Sequence, residues 1–259
     1  MLALSKSKNK GWEEPILSLI LAAIHCLCDM FTRLYVQFQI YRRLFQRKDT
    51  KADFKNIRHL SQHGQLSKIP QHIALAFLEA ELDLSQVASL ILWSVASGCQ
   101  YLSLYDFKGL LKNQRIELIA QLTLLSHHLD PSDNFQLQWS TEDNNHLKGN
   151  GLGSSSSRCV QICLLSQEDG QADIVRSAQV LASMSNAVIS EEAIEAQLNR
   201  LKVDPDLLVR FGLARSNCGY PPWQIRLSEI HDLDTHYCGP RQFVQVLHKY
   251  SQCHQRFGR

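Results

Sequence analysis

From residue 69 onward, short apolar runs of strand length alternate with longer segments of helical pattern. Four runs have the length and composition of strands: 73–77 (IALAF), 100–107 (QYLSLYDF), 159–165 (CVQICLL) and 207–211 (LLVRF). Four segments have helical periodicity: 85–97, closed by Gly98 as a C-cap, then 114–129, 172–184 and 191–202. Because strands that alternate with helices pair in parallel, the sequence predicts an α/β fold, with a parallel sheet and helices on both faces.

The composition limits the classes of protein to which this chain can belong. With 259 residues and a hydrophobic fraction of 44%, the chain can bury one core of roughly 150–200 residues and still carry an appendage. The net charge of +2 is small, and no basic run is interleaved with aromatic residues, which argues against nucleic-acid binding. Residues 1–68 carry 12 Lys and Arg against 5 Asp and Glu, whereas the rest carries 15 against 20. The two regions therefore face different surroundings.

The cysteines do not form a recognisable metal-binding pattern. Eight are present, but none forms a Cys-x-x-Cys pair. The closest spacings, Cys26 with Cys28 and Cys159 with Cys163, lack the partner clusters of a zinc site. Scattered cysteines with apolar neighbours are typical of reduced thiols, so we expect most of the chain to lie in the cytosol.

An apolar run at residues 16–27 distinguishes the N-terminal region. A membrane span needs about 20 apolar residues, and the stretch 15–31 approaches that length only by including His25 and Asp29. Apolar residues continue beyond it at helical spacing, so we expect a short span followed by an amphipathic interfacial helix. Basic residues flank the run on both sides: Lys6, Lys8, Lys10, Arg33, Arg42, Arg43, Arg47 and Lys48.

This pattern predicts a membrane anchor with its basic flank over residues 1–45, followed by a linker over 46–68. The heavier basic flank on the C-terminal side predicts a cytosolic location for the domain that follows. A cleaved signal peptide is the main alternative, although no small-x-small cleavage site follows the apolar run. A buried helix of a soluble protein is the other.

One segment interrupts the predicted domain at 69–259. Residues 140–157 (STEDNNHLKGNGLGSSSS) are polar and rich in glycine and serine, which is typical of a flexible insertion. Gly149, Gly151 and Gly153 resemble half of a dinucleotide-binding fingerprint. They do not end a strand and begin a helix, as that fingerprint requires, so we interpret them as part of the insertion.

The segment 69–79 (IPQHIALAFLE) carries a family resemblance. It resembles the first block of cis-prenyltransferases, in which Pro-x-His precedes an apolar strand that ends in Asp-Gly-Asn-x-Arg. In that family the Asp binds magnesium, and the residues after it hold the phosphates. Here Leu78 replaces the Asp, and Glu79, Ala80 and Glu81 replace the glycine-rich grip. An isobutyl group cannot coordinate a cation, and two carboxylates repel a diphosphate, so the resemblance implies the fold without the chemistry.

Two further blocks show the same combination of retained and replaced residues. Residues 101–107 (YLSLYDF) look like the family's strand that ends in Leu-Tyr-Ala-Phe-Ser, but 109–111 (GLL) replace the Glu-Asn-Trp of active members. Residues 206–229 resemble the third block, which runs from Asp-Leu-x-Ile-Arg-Thr-Ser-Gly-Glu to Trp-Gln-x-x-x-x-Glu, and 212–214 (GLA) replace its Ser-Gly-Glu. The matching residues in this block are Arg210, Trp223 and Glu229.

Together with 166–176 (SQEDGQADIVR) and 222–230 (PWQIRLSEI), these replacements closely resemble the Nogo-B receptor family, over about residues 69–259. Members are accessory subunits of eukaryotic dehydrodolichyl diphosphate synthase. The resemblance implies a chain that is inactive alone and forms an obligate heterodimer with a catalytic cis-prenyltransferase subunit. That partner would bind Mg²⁺ and the isoprenoid diphosphates, and this chain would bind no metal. Trp223, Arg226 and Glu229 are expected at the subunit interface, with a solvated position as the alternative for Glu229.

The family resemblance also gives the N-terminal and C-terminal ends a role. An N-terminal segment tethers such complexes to the endoplasmic reticulum membrane, and their product is the precursor of dolichol for protein glycosylation. The family's closing Arg-x-Gly, here Arg256, Phe257 and Gly258, reaches into the partner's active site. Arg offers a fork of donors that matches phosphate oxygens, and Gly allows the backbone N–H to approach a diphosphate closely. A solvated tail is the alternative.

The leading hypothesis is therefore a regulatory transferase subunit that stabilises its partner and supplies Arg256 and Gly258 to the partner's site. A self-sufficient homodimeric enzyme is the first rival, and Leu78 argues against it. A membrane receptor or lipid-binding adaptor without a catalytic role is the second. The Arg-x-Gly tail distinguishes them, because a receptor has no need of it.

Overall fold

The computed structural model describes residues 13–44, 49–130, 133, 135–140, 158–184, 190–198, 201 and 203–254. The chain forms two compact units, divided after Arg47. The first contains helix α1, Glu13–Leu44, a single continuous helix of 32 residues in place of the expected span and separate interfacial helix. Its stretch Pro15–Tyr35 has a mean hydropathy of 1.8, is unburied, and is long and apolar enough to cross a membrane.

Within the described residues, the second unit contains seven helices and six strands. The helices are α2 Thr50–Gln62, α3 Leu84–Ser97, α4 Leu110–Asn113, α5 Arg115–Ser126, α6 Gln171–Ser183, α7 Glu191–Gln197 and α8 Pro240–Gln252. The strands are β1 His72–Phe77, β2 Tyr101–Asp106, β3 Phe135–Ser140, β4 Arg158–Leu165, β5 Leu207–Phe211 and β6 Glu229–Leu233. A short 3-10 helix, Gln167–Asp169, precedes α6.

All six strands lie in one parallel sheet, in the order β3-β4-β2-β1-β5-β6. The central strand β1 pairs with β2, His72 opposite Tyr101, and with β5, Phe77 opposite Phe211. Because every strand points the same way, the carboxyl ends of β1, β2 and β5 meet at one edge of the sheet. The predicted α/β fold with a parallel sheet is confirmed.

The residues of β1 alternate between two clusters, as the period of a strand requires. Ile73, Leu75 and Phe77 join the large core, which also contains buried residues of α2, α3, α5 and α8. The two alanines between them, Ala74 and Ala76, lie on the opposite face in a smaller cluster with Tyr105, Leu165, Leu208 and Tyr220. The small alanine side chains leave room on that face for two tyrosine rings, whose centroids are 5.2 Å apart.

Helix α3 is buried on almost every side, because it lies among the sheet, α2 and α5. The Asp83 side chain accepts hydrogen bonds from the N–H groups of Ser85 and Gln86 and so caps its start. Gly98 ends it with a φ of +102°, as the sequence predicts.

The prediction of a linker at 46–68 is corrected, because α2 lies within these residues. This helix starts at Thr50, after the N-cap Asp49, and its Phe54 and Ile57 are buried in the large core. The ring of Phe54 stacks on Phe135 of β3 at 6.0 Å. Strands β3 and β6 and helices α4 and α8 were also not predicted from the sequence. Apart from Ser140, the last residue of β3, the predicted insertion at 140–157 lies outside the described residues.

Candidate functional site

The first and third replaced motifs lie in contact at the carboxyl edge of the sheet. Leu78 directly follows β1, and its backbone N–H donates to the carbonyl of Phe211 at 2.8 Å. Gly212 follows β5 with a φ of +123°, and a Cβ built there would lie 3.3 Å from the Cβ of Leu78. A side chain at 212 would therefore be strained and crowded. Leu78 itself packs against the smaller apolar cluster, so an apolar group occupies the point where the family's magnesium-binding Asp is expected.

Glu79 is held by the segment that follows β6. The backbone N–H of buried His236 donates to Oε2 of Glu79 at 2.8 Å, and the imidazole Nδ1 contacts the same oxygen. The other ring nitrogen, Nε2, lies 3.0 Å from the N–H of Asp83. Because a backbone N–H can only donate, Nε2 is the acceptor and Nδ1 carries the proton that it donates to Glu79. His236 thus joins Glu79, at the end of β1, to Asp83, at the start of α3.

Arg210, at the same edge, forms a bidentate ion pair. Its Nε lies 2.7 Å from Oδ1 of Asp232 in β6, and one terminal nitrogen lies 3.0 Å from Oδ2. The other terminal nitrogen donates to Oδ1 of Asn217 at 3.0 Å. The Arg210 guanidinium holds the pKa of Asp232 below its ordinary value, mainly through these hydrogen bonds. The Arg210 guanidinium therefore has a structural role, because it joins β5, β6 and the loop that contains Asn217.

The second replaced motif has become a helix cap. Asp106 ends β2, and its two carboxylate oxygens accept the N–H groups of Leu110 and Leu111 at 2.6 and 3.0 Å. These two N–H groups belong to the first turn of α4 and have no acceptor within the helix. Gly109 precedes them with a φ of +70°. Through these two hydrogen bonds, the buried Asp106 stabilises the turn that replaces the family's Glu-Asn-Trp.

Two loops approach each other backbone to backbone beside this edge. A Cβ built at Gly170 would lie 2.3 Å from the carbonyl oxygen of Gly219. The Tyr105 hydroxyl donates to the carbonyl of Cys218, the only non-glycine residue with positive φ among those that the structure describes. Neighbouring Asp169 accepts from Lys112 Nζ at 2.6 Å and is buried. These contacts give the loop after β5 one defined conformation.

At the opposite end of β1, His72 starts a buried chain of hydrogen bonds. Its Nδ1 lies 2.5 Å from the carbonyl of Val203, which can only accept, so the proton is on Nδ1. Its Nε2 therefore accepts from the Ser103 hydroxyl at 3.1 Å, and Ser103 in turn accepts from the Tyr220 hydroxyl at 3.0 Å. This network links β1, β2 and the loop after β5.

We expect this network to make the stability of the fold depend on pH. Burial lowers the pKa of His72 from 6.5 to about 4, opposed by its hydrogen bond to Val203 and the charge of Asp206. As the pH falls, His72 therefore binds a proton in the unfolded chain at a higher pH than in the folded chain. The contribution of His72 to the free energy of unfolding should be fully present above pH 6.5. The free energy of unfolding should decrease by about 3 kcal/mol as the pH falls to 4.

Urea unfolding of the detergent-solubilised chain over this pH range measures the effect. His72→Gln should lower the stability at pH 7 but flatten its pH dependence, and His254→Gln, at an exposed position, should leave the slope unchanged. An equal slope in His72→Gln and the unmodified chain would assign the pH dependence to other groups.

Comparison with known proteins identifies the family. No family model matches the chain. It is 32% identical over 218 residues to the mouse dehydrodolichyl diphosphate synthase complex subunit Nus1, covering 80% of this chain and 72% of the relative. The human subunit NUS1 is 31% identical over 205 residues, covering 75% and 68%. The chain belongs to the Nus1 family of dehydrodolichyl diphosphate synthase complex subunits. The family resemblance inferred from the motifs is thereby confirmed.

The fold agrees with this membership of the Nus1 family. Lavandulyl diphosphate synthase from Lavandula x intermedia superimposes with a TM-score of 0.52 at 17% identity, covering 74% of this chain and 99% of the synthase. At that identity the likeness concerns the fold alone. The predicted cis-prenyltransferase-like fold is confirmed.

The residues of this Nus1-family chain at the carboxyl edge do not fit a magnesium–diphosphate group. Leu78 has no donor atom, Glu79 is bonded to His236, and both oxygens of Asp106 accept backbone N–H groups. Within the described residues, no group of three or more His, Cys, Asp or Glu side chains is placed to hold a metal ion. The sequence identified Leu78, but it held no signal for His236 or Asp232, which are distant in the chain.

The three residues predicted at the subunit interface of this Nus1-family chain lie near the amino end of β6. The Arg226 guanidinium lies 5.4 Å from the centre of the Trp223 ring and forms ion pairs with Glu191 and Glu195 of α7. Glu229 begins β6, so it lies at the end of the strand away from Gly212. Its carboxylate accepts a hydrogen bond from the thiol of Cys253 at 3.1 Å.

The interface role of these three residues stays a prediction. Arg256, Phe257 and Gly258 lie outside the described residues.

Proposed function

We propose that this chain is the non-catalytic, regulatory subunit of a heteromeric dehydrodolichyl diphosphate synthase. Its partner is a catalytic cis-prenyltransferase subunit, which binds Mg²⁺ and the isoprenoid diphosphates and makes the polyprenyl diphosphate precursor of dolichol. The chain stabilises this partner as an obligate subunit. One observation carries the proposal: Leu78 packs into the apolar cluster at the position of the family's magnesium-binding Asp.

The neighbouring charges support a site that has been converted to structural use. Glu79 is committed to His236, and Arg210 is committed to Asp232 and Asn217. A diphosphate at this edge would have to break these bonds, and it would meet carboxylates that repel it. These groups therefore stabilise one conformation of the carboxyl edge.

The proposal includes a contribution from the C-terminal end to the partner's chemistry. Arg256 and Gly258 supply a charge-assisted donor and an unobstructed backbone N–H to the diphosphate in the partner's active site, and Phe257 lies between them. The chain would thus take part in catalysis without a complete site of its own.

The proposal also places the complex at the endoplasmic reticulum membrane, with the folded unit in the cytosol. The apolar stretch Pro15–Tyr35 supports an anchor, and the basic residues after it support the orientation. Dolichol synthesis at this membrane would supply the lipid carrier for protein glycosylation.

We expect the chain alone to have no prenyltransferase activity. The test is elongation of an allylic diphosphate by isopentenyl diphosphate and Mg²⁺, measured for the chain alone and for the reconstituted complex. Leu78→Asp alone should not restore activity, because Glu79, Ala80 and Glu81 still replace the phosphate grip. Elongation by the purified chain without its partner would disprove the non-catalytic role.

We expect removal of residues 1–45 to release the complex into the soluble fraction and to leave much of its activity. The orientation is tested in sealed microsomes that contain the full-length chain. Protease added outside should digest the folded unit, because we place it in the cytosol. Digestion only after detergent is added would place it in the lumen and contradict the orientation.

A further inference from the structure

One side of helix α1 collects the polar residues of its apolar stretch. Between Ile16 and Thr32 the stretch contains one Ser, one His, one Asp and one Thr. At 3.6 residues per turn, an arc of about 80° contains these four residues and one alanine, and no other residue of Pro15–Tyr35. We call the five residues of this arc the α1 polar face: Ser18, Ala22, His25, Asp29 and Thr32.

The rest of the helix circumference is suited to lipid. Every large apolar side chain of the stretch lies outside the arc, and all of them are exposed, including Leu19 and Phe31. Cys26 and Cys28 also lie outside it and behave as small apolar side chains. Arg33 lies about 20° beyond the edge of the arc. It is near the end of the stretch, where a long side chain reaches the headgroups. The α1 polar face is therefore the side that requires a partner other than lipid.

His25 and Asp29 lie at a depth where an unpaired ionisable side chain is costly. His25 is the middle residue of Pro15–Tyr35, and Asp29 lies about 6 Å further along the helix axis. Among the described residues, no hydrogen bond or ion pair joins the two side chains to each other, or either of them to Arg33 or another residue. Their partners therefore have to come from another helix in the same membrane.

The α1 polar face is complementary to itself. An imidazole N–H is a donor and a carboxylate is an acceptor, and each copy of the chain carries both, one turn apart. The five residues follow one another at spacings of four, three, four and three, which is the repeat of a left-handed helix pair. In a parallel pair each side chain of the face enters a hole between residues of the facing helix. His25 then lies between Ala22 and Asp29 of the second copy, and two-fold symmetry makes this contact twice.

Membrane insertion favours a second copy as the partner. The same sequence sets the orientation and the depth of every copy, so two α1 helices are parallel and in register, as the repeat requires. Each copy then brings an acceptor to the depth of the other copy's donor. Ser18 and Ala22 are four residues apart and small, which allows the two backbones to approach closely. A helix of another protein would need a donor and an acceptor at the same two depths.

We propose that two copies of this chain pair in the membrane through the α1 polar face, as a parallel two-fold pair of α1 helices. His25 of each copy donates to Asp29 of the other, and Ser18 and Ala22 form the close backbone contact. This inference rests on the membrane anchoring proposed above. It does not depend on the non-catalytic role or on the Arg-x-Gly contribution to catalysis.

The test is energy transfer between copies of the full-length chain in liposomes of phosphatidylcholine and phosphatidylserine. Some copies carry a donor dye at the N-terminus and the others an acceptor dye, and flotation with the liposomes first measures anchoring. Transfer should exceed that of randomly placed chains, and an excess of unlabelled chain should abolish it. Replacing both His25 and Asp29 by Leu should raise the dissociation constant in the membrane at least about tenfold, because both hydrogen bonds are lost.

Ala22→Leu should weaken the pairing to a similar degree, since the larger side chain would keep the two backbones apart. Ala23→Leu is the matched control, because it is the same substitution one residue later, on the far side of the helix, and it should leave the transfer unchanged.

The possible failures separate anchoring from pairing. A chain that does not float with the liposomes would overturn the anchoring itself. Anchored chains without transfer above the random level would overturn the pairing alone, as would transfer that survives both the Ala22→Leu and the double Leu variants, or an equal loss in Ala23→Leu. Transfer that disappears when the catalytic subunit is added would assign the α1 polar face to that subunit and would overturn pairing between copies.

Discussion

We expect Arg256→Ala to lower the turnover of the reconstituted complex about ten- to a hundredfold. The substitution would remove a charge-assisted hydrogen bond to the diphosphate, worth roughly 1.5–3 kcal/mol and more if the site is dry. A loss of that size in the transition state corresponds to this range of rates. The measurement is steady-state turnover with saturating allylic and isopentenyl diphosphates and Mg²⁺.

Gly258→Ala should lower turnover by a different route, because its methyl group would lie where the backbone must approach the phosphate. Arg259→Ala is the matched control, since it removes the same charge three residues further on and should have the smallest effect. Heterodimer assembly, followed by co-purification, should stay near that of the unmodified complex in all three variants. Unchanged turnover would reduce the chain to a scaffold. Turnover lost together with assembly would show that the end of the chain holds the interface.

The second large effect is expected at Gly170, where Gly170→Ala should destabilise the folded unit by about 3 kcal/mol or more. The new Cβ would lie 2.3 Å from the carbonyl oxygen of Gly219, well inside contact distance. The obstacle is backbone, which cannot rotate away as a side chain can. The loop that contains Gly219 would have to move, although its neighbour Cys218 is held by the Tyr105 hydroxyl.

Gly64→Ala separates this steric effect from a backbone effect. Gly64 has a φ of +68° with no atom within 4 Å of a Cβ, so alanine there should cost only about 1–2 kcal/mol of conformational strain. Gly170 has a φ of −89°, outside the left-handed region, and the contact of its new Cβ with the Gly219 carbonyl is the reason for its larger cost. Urea unfolding of both variants in the same detergent gives the two values. A Gly170→Ala variant no less stable than Gly64→Ala would mean that the two loops separate easily.

The strands recognised from the sequence are the four inner strands of the sheet, β4, β2, β1 and β5. All six residues of β1 are buried, and such a strand appears in the sequence as an uninterrupted apolar run. The two strands that were missed, β3 and β6, lie at the edges of the sheet. In β6 the residues Glu229, His231 and Asp232 surround a half-exposed Ile230, so the apolar signal is too weak to indicate a strand.

Among the helices that were not predicted, α8 and α2 differ in how clearly the sequence indicates them. In α8, buried Phe243, Val246, Leu247 and Tyr250 follow the spacing of an amphipathic helix after Pro240, a pattern that the sequence contains. In α2, only Phe54 and Ile57 are buried among charged and polar residues. Two apolar residues do not distinguish a core helix from a linker, so the boundary of the folded unit at 46–68 could not be predicted from local pattern.

The sequence by itself determined that the motif residues of an active cis-prenyltransferase are replaced, because Leu78 and the segments 109–111 and 212–214 are readable letter by letter. It also determined the parallel α/β class, because helices and buried strands alternate. Only the tertiary structure decided what the remaining charges do. Glu79 and His236 are 157 residues apart in the chain, and Arg210 meets Asp232 only through the register of β5 and β6. Such pairings depend on strand order and register, which are set by packing of the whole sheet, and no local pattern encodes them.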